Sequence, residues 1–169
     1  MIAQSLVIAV LPAMLALAAG FDLASFTIPN FLTLALVALF APLGLALAMP
    51  LSAVSWHLLA GGVGLAAGLA LFALGYIGGG DAKLFAAISL WLGWHDWLSF
   101  VLAASLLGGA LAILLISVRQ VPLPSALIRC NWILRLYDKD AGIPYGVALA
   151  AGALLILPHT EILRLAAVQ

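Results

Sequence analysis

Residues 57–97 read HLLAGGVGLAAGLALFALGYIGGGDAKLFAAISLWLGWHDW. An apolar run long enough to cross a bilayer, which takes about 20 residues, stops at Gly78-Gly79-Gly80-Asp81, and a second apolar run begins at Ala82. Glycine disfavours helix by about 1 kcal/mol relative to alanine. Three in a row before an acid predict an unwound helix end or a bent backbone that another backbone can approach closely. An ordinary turn with a charged residue at its edge is the plainer reading of the same four residues. A carboxylate beside lipid-facing sequence is costly and marks a functional site by default. Asp22, which closes the first apolar stretch, is the second such acid.

Outward from this break, the chain of 169 residues is 67% hydrophobic and only 7% charged. Soluble domains carry about 25% charged residues, so the solvent for most of this surface is lipid. The length suits one membrane-embedded domain over residues 1–169 and no separate soluble one. Net charge is zero and the bases are sparse, which excludes the clustered basic face of a nucleic-acid binder. Cys130 is the only cysteine, which excludes an internal disulfide and a cysteine zinc knuckle. The N-terminus lacks a basic n-region and reads as a retained first span rather than a cleaved signal.

The expected fold is all-α, a polytopic bundle of six transmembrane helices at about 3–21, 31–49, 57–77, 82–97, 98–118 and 143–160. Lys83, Arg119, Arg129, Arg135 and Lys139 fall after the glycine run and in the 118–142 loop. The positive-inside rule places both in the cytoplasm, with both termini outside; only Arg164 opposes it. Trp56, Trp91, Trp94 and Trp97 are then expected at the outer interface, together with His57, His95, His159, Asp96 and Glu161. The histidines lack a ligand spacing, and no metal is expected. Asp22 and Asp81 emerge on the same side from Lys and Arg positions alone, which favours a pair. Residues 125–137 alternate Leu127, Trp132, Ile133 and Leu136 with Arg129, Asn131 and Arg135. This suits an interfacial amphipathic helix on the inner leaflet, read either as a tether or as a docking surface. Gly64 and Gly68, with Gly61 and Ala60, mark a closely packed helix face, and Gly108-Gly109 reads similarly.

Gly78-x-Gly80-Asp81, followed by Ala82-Lys83-Leu84, resembles the GxGD motif of type IV prepilin peptidases. Asp22 followed by Ile28-Pro29-Asn30 is similar to the family's first acid and its IPN element, at the same spacing. Ile143-Pro144-Tyr145-Gly146 resembles its IPYG element. The three occur in order along the chain. The resemblance implies an aspartic endopeptidase that cuts the leader from prepilin or pilin-like precursors at the cytoplasmic face of the bacterial inner membrane. It implies Asp22 and Asp81 as the catalytic pair and Gly78 and Gly80 as motif glycines. Gly79, Lys83, Pro29, Asn30, Pro144 and Tyr145 are expected to support the motifs or bind substrate. Lys83 also reads as an inner-leaflet anchor. Two adjacent carboxyl groups share a proton. One then activates water while the other polarises the peptide carbonyl. No cofactor is implied; expected partners are the precursor, membrane lipid and pilus assembly proteins.

The stretch Leu23-Ala24-Ser25-Phe26-Thr27 lacks the arginines many family members place there, and the chain lacks the paired-cysteine region linked to N-methylation. Methyltransferase activity is therefore not expected, and the short form is similar to peptidases of Flp/Tad pilus systems. An archaeal preflagellin peptidase is the alternative within the same chemistry. An ion- or proton-coupled transporter is the alternative outside it, and a non-catalytic assembly scaffold is the third.

Overall fold

The structure, a computed structural model, describes residues 2–124, 127, 129–139 and 141–168, with side chains described for 8–124, 127, 129–139 and 141–164. The described residues form helices α1 (Ile2–Ser25), α2 (Asn30–Ala46), α3 (Leu51–Ala73), α4 (Gly79–Val118), α5 (Asn131–Tyr137), α6 (Tyr145–Ile156) and α7 (Glu161–Val168). A 3-10 turn, Leu157–His159, joins the last two. Large apolar side chains face outward along the long helices, Leu45 at 81% and Leu51 at 85% exposure among them. That surface fits a lipid solvent. Three helical stretches are long and apolar enough to cross a bilayer: Ile8–Ser25 within α1, Leu51–Ala73 and Gly79–Val118.

α4 has 40 residues. A straight helix of that length would run about 60 Å, twice the hydrocarbon thickness. It is not straight. Gly93 takes φ 75° and ψ 173°, a conformation open essentially only to glycine, and the chain doubles back there. Phe85 and Phe100 stack at 5.5 Å between ring centroids, whereas fifteen positions of straight helix span about 22 Å. Ser89, fully buried, accepts a hydrogen bond from Trp97 Nε1 at 3.0 Å and so ties the two arms together. α4 is therefore a helical hairpin with a proximal arm, 79–92, and a distal arm, 94–118. The break expected at 97/98 falls instead at Gly93. The Trp-rich run hid it, because a single glycine among apolar residues looks like a tolerated helix residue.

His57 donates from Nδ1 to the Leu90 carbonyl at 2.8 Å, an acceptor whose helical partner the turn removes. A Cβ on Gly93 would stand 2.9 Å from the same imidazole. Gly93→Ala is accordingly expected to cost about 2–3 kcal/mol from backbone strain alone, visible as a lowered unfolding temperature in detergent.

Both arms pack on small residues. On α3, a Cβ at Gly64 would strike Ser89, one at Gly68 would lie 3.0 Å from the Ala82 carbonyl, and one at Gly61 would lie 3.1 Å from Leu90 Cβ. On the distal arm, Gly108 receives the Tyr145 ring, and Gly152 of α6 receives the backbone of Ala104. Close approach of this kind is how membrane helices gain van der Waals contact without a hydrophobic drive. Gly109 meets nothing within 4 Å, so only one of the two distal-arm glycines packs as expected. Trp91 also departs from expectation. It is buried, not interfacial, with its ring edge-on to Phe40 and its Nε1 donating to the Leu36 carbonyl at 2.9 Å. His57 is buried as well.

Two helix ends show the same local chemistry with different residues. α3 closes in a Schellman arrangement, with Tyr76 N–H on the Leu71 carbonyl, Gly75 N–H on that of Phe72, and Gly75 at φ 76°. α2 closes the same way, with Met49 on Gly44 and Ala48 on Leu45, but the left-handed residue is Ala48 at φ 49°. A Cβ there costs about 1–2 kcal/mol. Ala48→Gly is therefore expected to raise the unfolding temperature, and Gly75→Ala to lower it.

The 118–142 loop is held by Arg119, which donates to the carbonyls of Leu136 at 2.7 Å and Gly142 at 2.9 Å. Arg135 donates to Ala24 at 3.4 Å and sets α5 beside the end of α1. Within the expected 125–137 segment, Asn131–Tyr137 is α-helical. Ser125, Ala126 and Ile128, and Asp140 further on, lie outside the described residues.

Candidate active site

Asp22 lies in the last turn of α1, not in the loop expected after it, since the helix continues to Ser25. The carbonyl of Asp22 receives the closing bond from Phe26 N–H at 2.7 Å. Phe26 then takes φ 54°, an unusual conformation for a bulky residue, and turns the chain sharply toward Ile28. Pro29 caps α2 with φ −61° and ψ 136°, values its ring favours, and Asn30 is the first helical residue. Asp81 sits in the first turn of α4, with Gly78 as the N-cap. The glycines thus open a helix instead of unwinding one. Asp81 Oδ2 accepts from the Gly78 N–H at 3.2 Å, the return half of a capping box.

These segments meet. Asp22, Phe26, Thr27, Ile28, Asn30, Gly78, Gly79, Gly80 and Asp81 line one pocket of about 260 Å³. Ile28 is the joint. Gly80 approaches it so closely that a Cβ would lie 3.3 Å from its backbone nitrogen, and a Cβ on Gly146 would lie 2.7 Å from its Cδ1. The same Cβ on Gly146 would lie 2.9 Å from Asp22 Oδ2. All three sequence elements therefore close on one point.

Both acids are buried, Asp22 at 3% and Asp81 at 9% exposure. Asp22 Oδ2 and Asp81 Oδ1 have no hydrogen-bond partner of good geometry among the protein atoms, a costly condition for a buried carboxyl oxygen. The two groups act on each other electrostatically. The amide of Gly146 lies within electrostatic reach of both, and that of Val147 within reach of Asp22. Those amides open α6, whose N-cap is the buried Pro144. Two helix N-termini, those of α4 and α6, thus supply partial positive charge to the acids. Among the described residues no lysine or arginine forms an ion pair with either one.

Of the other expected residues, Gly78, Gly79, Gly80 and Asn30 line the pocket with the acids. Lys83 does not; its Nζ donates to Asn30 Oδ1 at 2.9 Å, so it braces the IPN element against α4. Tyr145 turns away and packs on Gly108. Ile28, Gly146, Val147 and Phe26 are the contributors that residue type alone did not single out. The signal for the first two was their place inside the IPN and IPYG strings. At the far end of the proximal arm, a pocket of about 530 Å³ gathers His57, His95, Asp96, His159, Glu161 and Arg164. His95 Nδ1 lies 3.3 Å from Asp96 Oδ1. Among the described residues no three His, Cys, Asp or Glu are grouped to hold a metal ion.

The model of the type IV leader peptidase family matches residues 9–113, a stretch that contains both acids, the IPN element and the GxGD element. No curated protein and no solved structure matches the chain. Together with its apolar helical build, the match makes this an all-helical membrane protein and a peptidase, a member of the type IV leader peptidase family.

Proposed function

We propose that the chain is an aspartic endopeptidase that removes the leader from type IV prepilin or pilin-like precursors, those of Flp/Tad systems in the first instance. The observation that carries this reading is the pair of buried acids in one pocket, each with an unpartnered oxygen. In the proposed reaction one carboxylate takes a proton from water, and that water attacks the carbonyl carbon of the scissile peptide. The other, protonated, polarises the carbonyl oxygen and later helps protonate the leaving amine. The pair titrates as a unit. The amides of Gly146 and Val147 hold the acids in place and temper their mutual repulsion.

We further propose six membrane crossings: α1, α2, α3, the two arms of α4, and α6. The hairpin at Gly93 supports the count, since it turns the longest helix into two. Lys83, Arg119 and Arg135 gather at the end of the bundle that carries the acids. The positive-inside rule then sets that end, and the site, on the cytoplasmic side of the bacterial inner membrane. In this arrangement α5 lies on the inner leaflet, with the exposed Trp132 and Leu134 available to the lipid.

The test is incubation of the purified chain in liposomes with a Flp-type prepilin, followed by N-terminal sequencing of the product. One new N-terminus directly after the leader is expected. An intact precursor, or cuts scattered along it, would count against the reading.

A further inference from the structure

Asn30 lines two recesses at once, the acid pocket and a larger apolar groove of about 470 Å³ on its other side. The groove exists because α2 and α3, consecutive in the chain, barely touch each other; both lean on α4 instead. Between them one stripe of the proximal arm is left as a floor, formed by Lys83, Ala86 and Leu90. Spacings of three and four place these on one helical face, a strip about 10 Å long. Leu34 and Val37 make one wall and Gly62 and Leu65 the other. These side chains are exposed, and a Cβ on Gly62 would meet nothing within 4 Å. Only the end at Asn30 and Lys83 is charged, and there the two side chains hydrogen-bond at 2.9 Å.

We infer that this groove seats an apolar membrane-anchoring helix of the substrate, and that its polar end passes the adjoining peptide bond across Asn30 to Asp22 and Asp81. The inference rests on the peptidase reading above. The groove takes the place where a helix between α2 and α3 would pack. It opens to the surrounding lipid, so a membrane-anchored helix enters sideways without leaving the bilayer. The open backbone at Gly62 in one wall allows the close approach by which apolar helices associate in lipid. The groove's polar end shares Asn30 with the pocket that holds both acids.

Cysteine crosslinking in native membranes tests this, using the full chain carrying Cys130→Ser and Asp81→Asn, so that precursor stays uncut. Gly62→Cys and Val37→Cys, on opposite walls, are paired with single cysteines along the apolar segment of a Flp-type prepilin. Both are expected to crosslink at precursor positions repeating every three or four residues, on opposite helix faces. Their yield should be about tenfold above that of Leu106→Cys on the outer surface, because bound groups are held at high effective concentration. Equal yield at Leu106→Cys would show a lipid-filled groove and overturn the inference. Crosslinks between two copies of this chain, and none to precursor, would assign the groove to self-association and overturn it as well. The parent chain with both acids intact is assayed for cleavage of the same precursor. Cleavage without groove crosslinks removes the groove alone, whereas no cleavage removes the peptidase reading and the groove together.

Discussion

Asp22→Asn and Asp81→Asn are each expected to lower kcat/KM for leader cleavage by about a thousandfold or more, the scale of a general acid or base removed from its transition state. The double variant is expected to be no worse than either single one, because the two groups act as one unit and their effects do not add. Asn has nearly the shape of Asp, and at position 81 it keeps a carbonyl oxygen for the Gly78 amide, so the fold should survive. Steady-state cleavage of a prepilin in detergent, with unfolding temperature measured on the same samples, separates lost chemistry from lost structure. A scaffold with no chemistry of its own requires all three variants to be silent. A transporter requires lost ion flux with no cleavage in the parent chain.

Gly146→Ala carries the second large expected effect, a loss of about a hundredfold in cleavage from displacement of a reacting group. The added methyl would stand 2.9 Å from Asp22 Oδ2 and 2.7 Å from Ile28 Cδ1. Neither neighbour can retreat far: Asp22 is fixed in the last turn of α1, and Ile28 is pressed against Gly80 from the other side. The acid moves relative to Asp81, and the amides that opened α6 toward both acids move with it. Gly109→Ala, where a Cβ meets nothing within 4 Å, is the matched control and should keep full activity. Similar losses from both substitutions would mean that glycine content, not contact with Asp22, sets the result.

Much of this arrangement was legible in residue order. Apolar runs broken by Gly78-Gly79-Gly80-Asp81 and by Pro29-Asn30 dictate helices and their approximate ends, since lipid leaves a chain few other ways to satisfy its backbone. The small residues of α3 announced a close partner. What residue order could not carry was direction. The turn at Gly93 depends on one left-handed glycine inside WLGWHDW, where periodicity continues across the break. Burial of Trp91 follows from that turn, because the proximal arm is covered by α2 and by the distal arm. Asp22 and Asp81 were readable as candidates from cost alone. Their meeting place at Ile28, between Gly80 and Gly146, is a three-way contact with no signature in any one segment. The groove between α2 and α3 is likewise a consequence of two helices that barely touch each other, which no pattern within a single helix reports.

The central claim is that this chain cuts a pilin leader with Asp22 and Asp81. Its most direct test is co-expression of the chain with a Flp-type prepilin, following prepilin mobility on a gel for the parent chain, Asp22→Asn and Asp81→Asn at matched membrane levels. The account predicts conversion to the faster mature form by the parent chain and none by either variant. Conversion that persists in both variants would contradict it.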